Sequence, residues 1–290
     1  MVASVSAAEW QQNQDALRDE VRRVTTLMRS LTDPGIPAVG QWAIAEVAMH
    51  LSQNWMLVPG LARQDLSQYK AVVPGIDEVA GGSIIPDMWD NADMNALALK
   101  SDAERGLAVL ANRIEERAQE YFGECAGHSP DEPRPWIVEN TTVPLSALTA
   151  NLLNETLLHG YDIAAAAGRK WKIEPTHAAM VVRQFFVPVV QTCDPRTFVN
   201  TENAASLRAT YQLHLRGSGR LNWIFDDGSL RIEEPAARRV DCHISADPAA
   251  FLMVFWQRQS QWNAIAKGQL VAWGRKPWLG LQFRSLIRNP

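Results

Sequence analysis

The amino-acid sequence predicts an α+β protein of two domains. A four-helix bundle is expected over about residues 1–170, a linker helix over 171–204, and a small α+β domain with a mainly antiparallel sheet over 205–290. In the first part, apolar residues recur at helical spacing in four long segments. Beyond about residue 205, apolar and polar residues alternate between glycine-containing turns. With 290 residues and 47% hydrophobic content, the chain can form two separate cores.

The first two helices are predicted from apolar spacing and from residues that favour helix ends. One helix is expected over residues 7–31, with Ser6 as its N-cap and Pro34 beyond its end. The next begins near Trp42 and carries His50 on its apolar face. Seven prolines and glycines then indicate a long excursion over residues 57–86, of the kind that often shapes a binding site.

Two further helices complete the predicted bundle. Ser101 and Glu104 have the spacing of a capping box and predict that the third helix begins there. The fourth is expected from about Leu145 to Ala167, because Gly168 is a natural C-terminal stop.

The second half of the chain predicts the linker helix over residues 175–192 and then a small domain. Short alternating segments with Gly-rich or Asp-Gly turns between them indicate hairpins. Strands are expected at 207–216, 221–225, 230–233, 240–244 and 269–273, and helices at 249–257 and 279–287.

Composition excludes several classes of function. The net charge of -4 and the lack of a Lys/Arg-rich run argue against nucleic acid as a partner. No signal peptide and no apolar run of membrane-spanning length is visible, so a cytoplasmic protein without a membrane partner is expected. Three scattered cysteines (Cys125, Cys193 and Cys242) fit reduced thiols better than a disulfide framework. The sequence leaves the oligomeric state open.

One group of polar residues falls on predicted core faces. Glu155 and His159 are four residues apart on the fourth helix, on the apolar seam that faces the core. A buried carboxylate and imidazole must be paired or must hold a metal. Together with His50 they form a His/Glu/His set that suits zinc, with a fourth position left for water or substrate. From the residues alone, a hydrogen-bonded core group explains them equally well. Glu46 and Asp162, each one turn from a histidine, could orient a ligand or could simply be ion-paired.

Other chemistry has little support in the sequence. Glycine-rich nucleotide loops, the GxSxG motif of hydrolases and the HExxH motif of zinc proteases do not occur. The remaining histidines have no partner at metal-ligand spacing, and nothing near the cysteines in sequence would lower a thiol pKa.

Two stretches resemble the mycothiol-dependent maleylpyruvate isomerase family. Residues 42–51, WAIAEVAMHL, resemble its second-helix motif, and residues 154–164, NETLLHGYDIA, resemble its fourth-helix motif. The family belongs to the DinB-like metal-binding four-helix bundles and usually carries a C-terminal domain related to sterol carrier proteins. The resemblance implies a divalent metal, expected to be Zn²⁺, held by His50, Glu155 and His159. It also implies mycothiol or a similar low-molecular-weight thiol as cosubstrate.

The implied function is an enzyme that activates a thiolate. The thiolate would either be transferred to an electrophile or catalyse cis–trans isomerisation of a maleylpyruvate-like substrate. A dicarboxylate substrate would need a cation, for which Arg258 and Arg275 are the candidate catalytic residues, although each is more readily explained as a surface or domain-interface charge. The alternatives are a non-enzymatic carrier of an apolar ligand and a zinc-hydroxide hydrolase. The ligand set would also accept nickel, iron or manganese.

Overall fold

The computed structural model describes residues 4–76, 91–138 and 140–288. It divides into two compact units, Val5–Ile173 and the part of the chain from Glu174 on. The first unit is helical and the second contains a five-stranded sheet. The predicted α+β class is therefore confirmed.

Four long helices build the first unit, and two of them contact both of the others. The helices are α1 (Ala7–Arg29), α2 (Ile44–Arg63), α3 (Ser67–Val72), α4 (Asn91–Ser101), α5 (Leu107–Cys125) and α6 (Leu145–Ala166). Helices α1 and α2 each pack against α5 and α6, so their apolar faces share one core. Two short antiparallel hairpins join them, β1 (Pro37–Val39) with β2 (Trp42–Ala43), and β3 (Pro133–Pro135) with β4 (Thr142–Pro144).

Local capping chemistry sets most of the long helix ends. At the start of α1, Ser6 accepts a hydrogen bond from the backbone N–H of Glu9, whose carboxylate in turn accepts from the N–H of Ser6. The carboxylate of Glu46 accepts from the N–H of Ala43 at 2.8 Å and so supports the start of α2. Helix α6 ends just before Gly168, whose φ of +66° requires a glycine-like backbone.

Helix α2 is longer than the sequence predicts. Pro59 and Gly60 were expected to open a loop, yet both lie inside the helix and are buried. A proline removes one helical hydrogen bond, but burial of this apolar turn compensates for it. The helix ends at Gln64, which adopts a left-handed conformation with φ of 60°. Residues 77–86 of the predicted excursion lie outside the described part of the chain.

The third bundle helix begins later than its sequence predicts. Ser101, expected to be its N-cap, is the last residue of α4, and the helix starts at Leu107. Glu104 binds the N–H groups of Arg105 and Gly106, at 2.9 and 2.7 Å. Its carboxylate therefore stabilises the turn between two helices rather than a capping box.

The second unit contains a mainly antiparallel sheet, as predicted. The strand order is β7-β6-β5-β8-β9, and the pairing of β5 with β8 alone is parallel among the named strands. The strands are β5 (Arg208–Leu215), β6 (Arg220–Asp226), β7 (Ser229–Glu233), β8 (Cys242–Ala246) and β9 (Leu270–Trp273). The helices are α7 (Pro175–Val181), a π-helical segment (Val182–Phe186), α8 (Val187–Thr192), α9 (Thr201–Ala204), α10 (Pro248–Phe255), α11 (Gln261–Ala266), α12 (Leu279–Gln282) and a 3₁₀ segment (Phe283–Leu286).

The helix predicted as a linker over residues 175–192 lies within the second unit. Helix α7 packs against α10, and α8 packs against β7. The centres of the Phe186 and Phe255 rings lie 4.5 Å apart. Burial of such aromatic side chains fixes the segment to the sheet domain instead of leaving it as a separate linker.

Aromatic packing forms the core of the second unit. The centre of the Phe283 ring lies 5.0 Å from the ring centre of Tyr211 and 5.4 Å from that of Trp223.

None of the helices among the described residues has the length and apolar content of a membrane-spanning segment.

Candidate metal centre

Helices α2 and α6 bring the three predicted metal-ligating residues together. Glu155 Oε2 lies 3.3 Å from His159 Nε2 and 3.7 Å from His50 Nε2. One potential ligand atom from each residue lies within 4.8 Å of the others. Both histidines are 8% exposed, and Glu155 is partly buried. Residues about a hundred positions apart in sequence therefore form one cluster.

Asp162 fixes the orientation of His159. Its Oδ2 lies 3.1 Å from His159 Nδ1, and both side chains are buried. When Nδ1–H donates to this carboxylate, Nε2 is the nitrogen directed at Glu155. The predicted interaction of Asp162 with a ligating residue thus has a geometric basis.

The ionised side chains at the cluster carry a net negative charge. Burial lowers the pKa of His50, which is therefore neutral. Burial also opposes charge on His159, but its hydrogen bonds with Asp162 and Glu155 outweigh this and raise its pKa to about 9. Although burial disfavours the Glu155 carboxylate, hydrogen bonds from the two histidines hold its pKa below the usual range. Two carboxylates thus face one imidazolium, whose Nε2 proton a bound metal ion would displace.

Asn54 is a neighbour of the cluster to which the sequence analysis assigned no role. Its Nδ2 donates to Glu155 Oε2 at 2.9 Å and lies 3.0 Å from His50 Nε2. A second amide, of Asn154, donates to the other oxygen of Glu155 at 3.2 Å. Both Glu155 oxygens are thus oriented by neighbouring amides. The sequence signal for Asn54 was its position one turn after His50, on the same face of helix α2.

The residues present fit a divalent ion. Tetrahedral coordination with ligand bonds of about 2.0–2.2 Å places neighbouring ligand atoms about 3.3–3.6 Å apart. The observed separations of 3.3 and 3.7 Å are close to that range. Two imidazole nitrogens and one carboxylate oxygen are ligands that zinc accepts, and three protein ligands leave a position open.

The two arginines predicted as catalytic lie in the second unit. Arg275 forms an ion pair with Asp241, which also lies 3.6 Å from Lys276 Nζ. Arg258 donates through Nη1 to the carbonyl of Trp256 at 3.0 Å. These contacts give both side chains a role within their own unit.

Neither Cys125 nor Cys242 is a candidate nucleophile. Burial raises the pKa of Cys125 and of Cys242 to about 11, so both are protonated at neutral pH. Cys193 is also buried, and none of the three cysteines, all of which the structure describes, forms a disulfide bond.

Comparison with known proteins identifies the helical unit. The model of the mycothiol maleylpyruvate isomerase N-terminal domain matches residues 17–164. A histidine-to-alanine mutant of the mycothiol-dependent maleylpyruvate isomerase shares the fold, with a TM-score of 0.51, 12% identity, and coverage of 91% of this chain and 92% of that one. The unmutated isomerase gives a TM-score of 0.49 at 12% identity, with the same coverage.

A ubiquinone synthesis protein, UbiJ-SCP2, is 20% identical and covers 34% of this chain and 87% of its own, with a TM-score of 0.28. The comparison with curated proteins found no match. The family model covers more than half of the chain, from the first helix of the bundle to the last. The protein therefore belongs to the mycothiol maleylpyruvate isomerase N-terminal domain family.

Proposed function

We propose that this protein is a metal-dependent enzyme that uses mycothiol or a similar low-molecular-weight thiol. One observation carries the proposal: a buried His50–Glu155–His159 cluster with ligand spacing, in a chain of the mycothiol maleylpyruvate isomerase family. A scaffold bundle would gain little from these polar groups, because a buried ion pair is often no more stabilising than apolar side chains of similar volume. The solved isomerase with the same fold uses mycothiol, according to its description.

Each residue of the cluster has a distinct role in this proposal. Nε2 of His50, Nε2 of His159 and Oε2 of Glu155 would hold a divalent ion, for which we propose zinc. Such an ion, when bound, lowers the pKa of a coordinated thiol so that a thiolate exists at neutral pH. Asp162 keeps the Nδ1 proton of His159, so that Nε2 offers its lone pair. Asn54 orients the carboxylate of Glu155.

A thiolate at this place supports two reactions. Addition to the activated double bond of a maleylpyruvate-like substrate permits rotation and then expulsion of the thiolate, which gives cis–trans isomerisation. Attack on another electrophile leaves the thiol attached, which is S-transfer. For a dicarboxylate substrate, Arg258 and Arg275 remain the proposed cationic residues. Three buried cysteines without a disulfide bond fit the proposed cytoplasmic location.

Metal content tests the proposal directly. Elemental analysis of the purified protein should find about one metal ion per chain, and the identity of that ion. His50→Ala and His159→Ala should remove it, and Glu155→Gln should weaken binding, because a neutral amide is a poor zinc ligand. His128→Ala is the matched control, since this histidine is about half exposed and pairs with Glu132 at 2.7 Å. Stoichiometric metal in the His50→Ala protein after dialysis would refute the assignment.

Turnover then separates the proposed reaction from its alternatives. The metal-loaded protein should isomerise maleylpyruvate, or conjugate a thiol to an electrophile, only when the thiol is present. Activity in thiol-free buffer would instead identify a hydrolase. Binding of an apolar ligand that survives metal removal, without any turnover, would support a carrier.

A further inference from the structure

Strand β9 lies at one end of the sheet of the second unit and pairs with a described strand on one side only. Its partner is β8, and β9 is last in the strand order. The N–H of Asp247 donates to the carbonyl of Gln269, just before β9. Because ladder bonds of an antiparallel pair fall on every second residue, Leu270 and Ala272 direct their N–H and C=O groups away from β8. Such an edge is a template for another extended chain.

Exposed apolar side chains flank this edge on both faces of the sheet. Val271 and Trp273, two residues apart on β9, point to one face and are 48 and 46% exposed. Helix α12 packs on the other face, since a Cβ added to Gly280 would lie 2.3 Å from that of Ala272. Helix α11 also contacts β9. Six of the seven large hydrophobic side chains that are exposed among the described residues belong to these three elements or lie beside them: Trp262, Ile265, Val271, Trp273, Trp278 and Leu281.

The same part of the chain is basic. Residues 248–290 contain six Lys and Arg residues and no Asp or Glu, in a chain whose net charge is -4. Lys267 precedes β9, and Arg275 and Lys276 follow it, so positive charge lies at both ends of the edge. Asp241 pairs with Arg275 and lies 3.6 Å from Lys276 Nζ, so one carboxylate faces two cations there. The charge at this edge therefore favours an acidic partner.

The backbone of the edge and its charge distinguish three kinds of partner. A lipid bilayer would leave the outward N–H and C=O groups without hydrogen-bond partners, which is costly in hydrocarbon. A second copy would pair β9 with β9 antiparallel about a two-fold axis, which brings Lys267 of one chain toward Lys276 of the other. Like charges opposite each other destabilise such a pair. An extended acidic segment of another protein satisfies the backbone groups and complements the charge.

We propose that β9 binds an extended acidic segment of a partner protein, which joins the five-stranded sheet as a sixth strand. Backbone hydrogen bonds form with Leu270 and Ala272, and alternate apolar side chains of the segment pack against Val271 and Trp273. Carboxylates toward the ends of the segment lie near Lys267 and beyond the end of β9. This docking surface needs neither the metal nor the thiol of the proposed reaction.

Binding of a synthetic peptide to the full-length protein tests this docking surface. The probe has a Val-Thr-Val-Thr-Val centre, two glutamates at each end and blocked termini, and isothermal titration measures its affinity. Replacing the glutamates with lysines should weaken binding about 10- to 100-fold, because several exposed ion pairs become repulsive. One set of alternate amides faces β9 and the other faces solvent. N-methylation should therefore abolish binding for either the valine or the threonine set and preserve it for the other.

Substitutions at one exposed position test the same surface in the protein. Val271→Glu and Val271→Lys remove the same apolar side chain, but only the first repels the acidic peptide. The affinity of Val271→Glu should be about 10-fold or more below that of Val271→Lys, with circular dichroism spectra like that of the unmodified protein. Val109→Glu is the matched control, because Val109 is 44% exposed on α5, outside this surface. Its affinity for the peptide should be unchanged.

Several outcomes would overturn the proposal. These are no binding of the acidic peptide, equal affinity for the glutamate and lysine peptides, and binding that neither N-methylated set affects. Binding to phosphatidylglycerol vesicles without binding of the peptide would assign the surface to a membrane. A dimer that Val271→Glu dissociates and the peptide does not would assign the edge to a second copy of the chain, and either result would replace the proposed partner.

Discussion

Gly160 lies directly after His159 in helix α6, and replacing it with alanine tests the packing of the bundle beside the candidate metal centre. An added Cβ would lie 2.4 Å from Cζ2 and 2.8 Å from Cε2 of Trp171. Carbon atoms pack best at about 3.5–4.0 Å, so the ring would have to move by about 1 Å. The guanidinium of Arg23 lies 4.2 Å from the centre of the same ring and restricts that movement.

Three contributions set the expected magnitude. Overpacking of this kind costs about 1–3 kcal/mol. Displacing the ring also loses the Arg23 cation–π contact, worth about 0.5–1 kcal/mol. Alanine regains about 1 kcal/mol of helix propensity over glycine, which nearly cancels the second contribution. Gly160→Ala should therefore lower the free energy of unfolding by about 1–3 kcal/mol.

Gly123→Ala is the matched control, because Gly123 is exposed in helix α5 and an added Cβ meets no atom within 4 Å. This variant should be about 0.5–1 kcal/mol more stable than the unmodified protein. Urea unfolding followed by circular dichroism, with a chelator present, measures both. If Gly160→Ala were stabilised as much as Gly123→Ala, the packing of Trp171 against α6 would be refuted.

Two further changes test hydrogen bonds of the first unit. Asp162→Asn should weaken metal binding about 10- to 100-fold, because the amide no longer holds the Nδ1 proton of His159, and competition with a chromophoric chelator measures this. Glu115, bound by Thr25 at 2.6 Å and by Arg29 at 2.7 Å, has a pKa lowered below 4.5, chiefly by its hydrogen bond with Arg29. Its stabilisation should be present above about pH 4.5 and lost as the pH falls through the lower folded-state pKa. Glu115→Gln should thus be less stable at neutral pH, by less than about 1 kcal/mol because the pair is partly exposed, and equally stable in acid.

Each of these two tests has an outcome that contradicts it. Unchanged metal affinity in Asp162→Asn would mean that His159 needs no carboxylate to present Nε2. A stability difference between Glu115→Gln and the unmodified protein that persists in acid would mean that the ion pair with Arg29 is not its cause. Asp15→Asn, an exposed change on α1, serves as the control for both.

Most of the fold could be predicted from local patterns. Ser6 begins helix α1 through a hydrogen bond, and Gly168 follows helix α6 with a backbone conformation that favours glycine. Both signals, like the alternation along the strands, involve only neighbouring residues. The errors lie where packing outweighs such rules. Pro59 remains helical because its turn is buried, and Ser101 ends one helix instead of starting another.

The candidate site was predictable in part. Helical spacing alone places Glu155 and His159 on one face, and the family motifs select His50 as their partner. The sequence could not show that Asn54 binds Glu155, since an amide one turn from a histidine is usually a surface residue.

The sequence by itself thus determined the two-domain class, the order of the four bundle helices and of the five sheet strands, and the three candidate ligands. These depend on periodicity and on capping, whose range is a few residues. Only the tertiary structure decided how far apart the ligand atoms lie, that Asn54 supports Glu155, and that the predicted linker packs inside the second unit. It also decided that Gly160 must remain small, because the ring of Trp171 meets it only after the chain has folded. Such contacts join residues that are far apart along the chain or that meet on different elements, so their distances follow from packing and cannot be read from a local pattern.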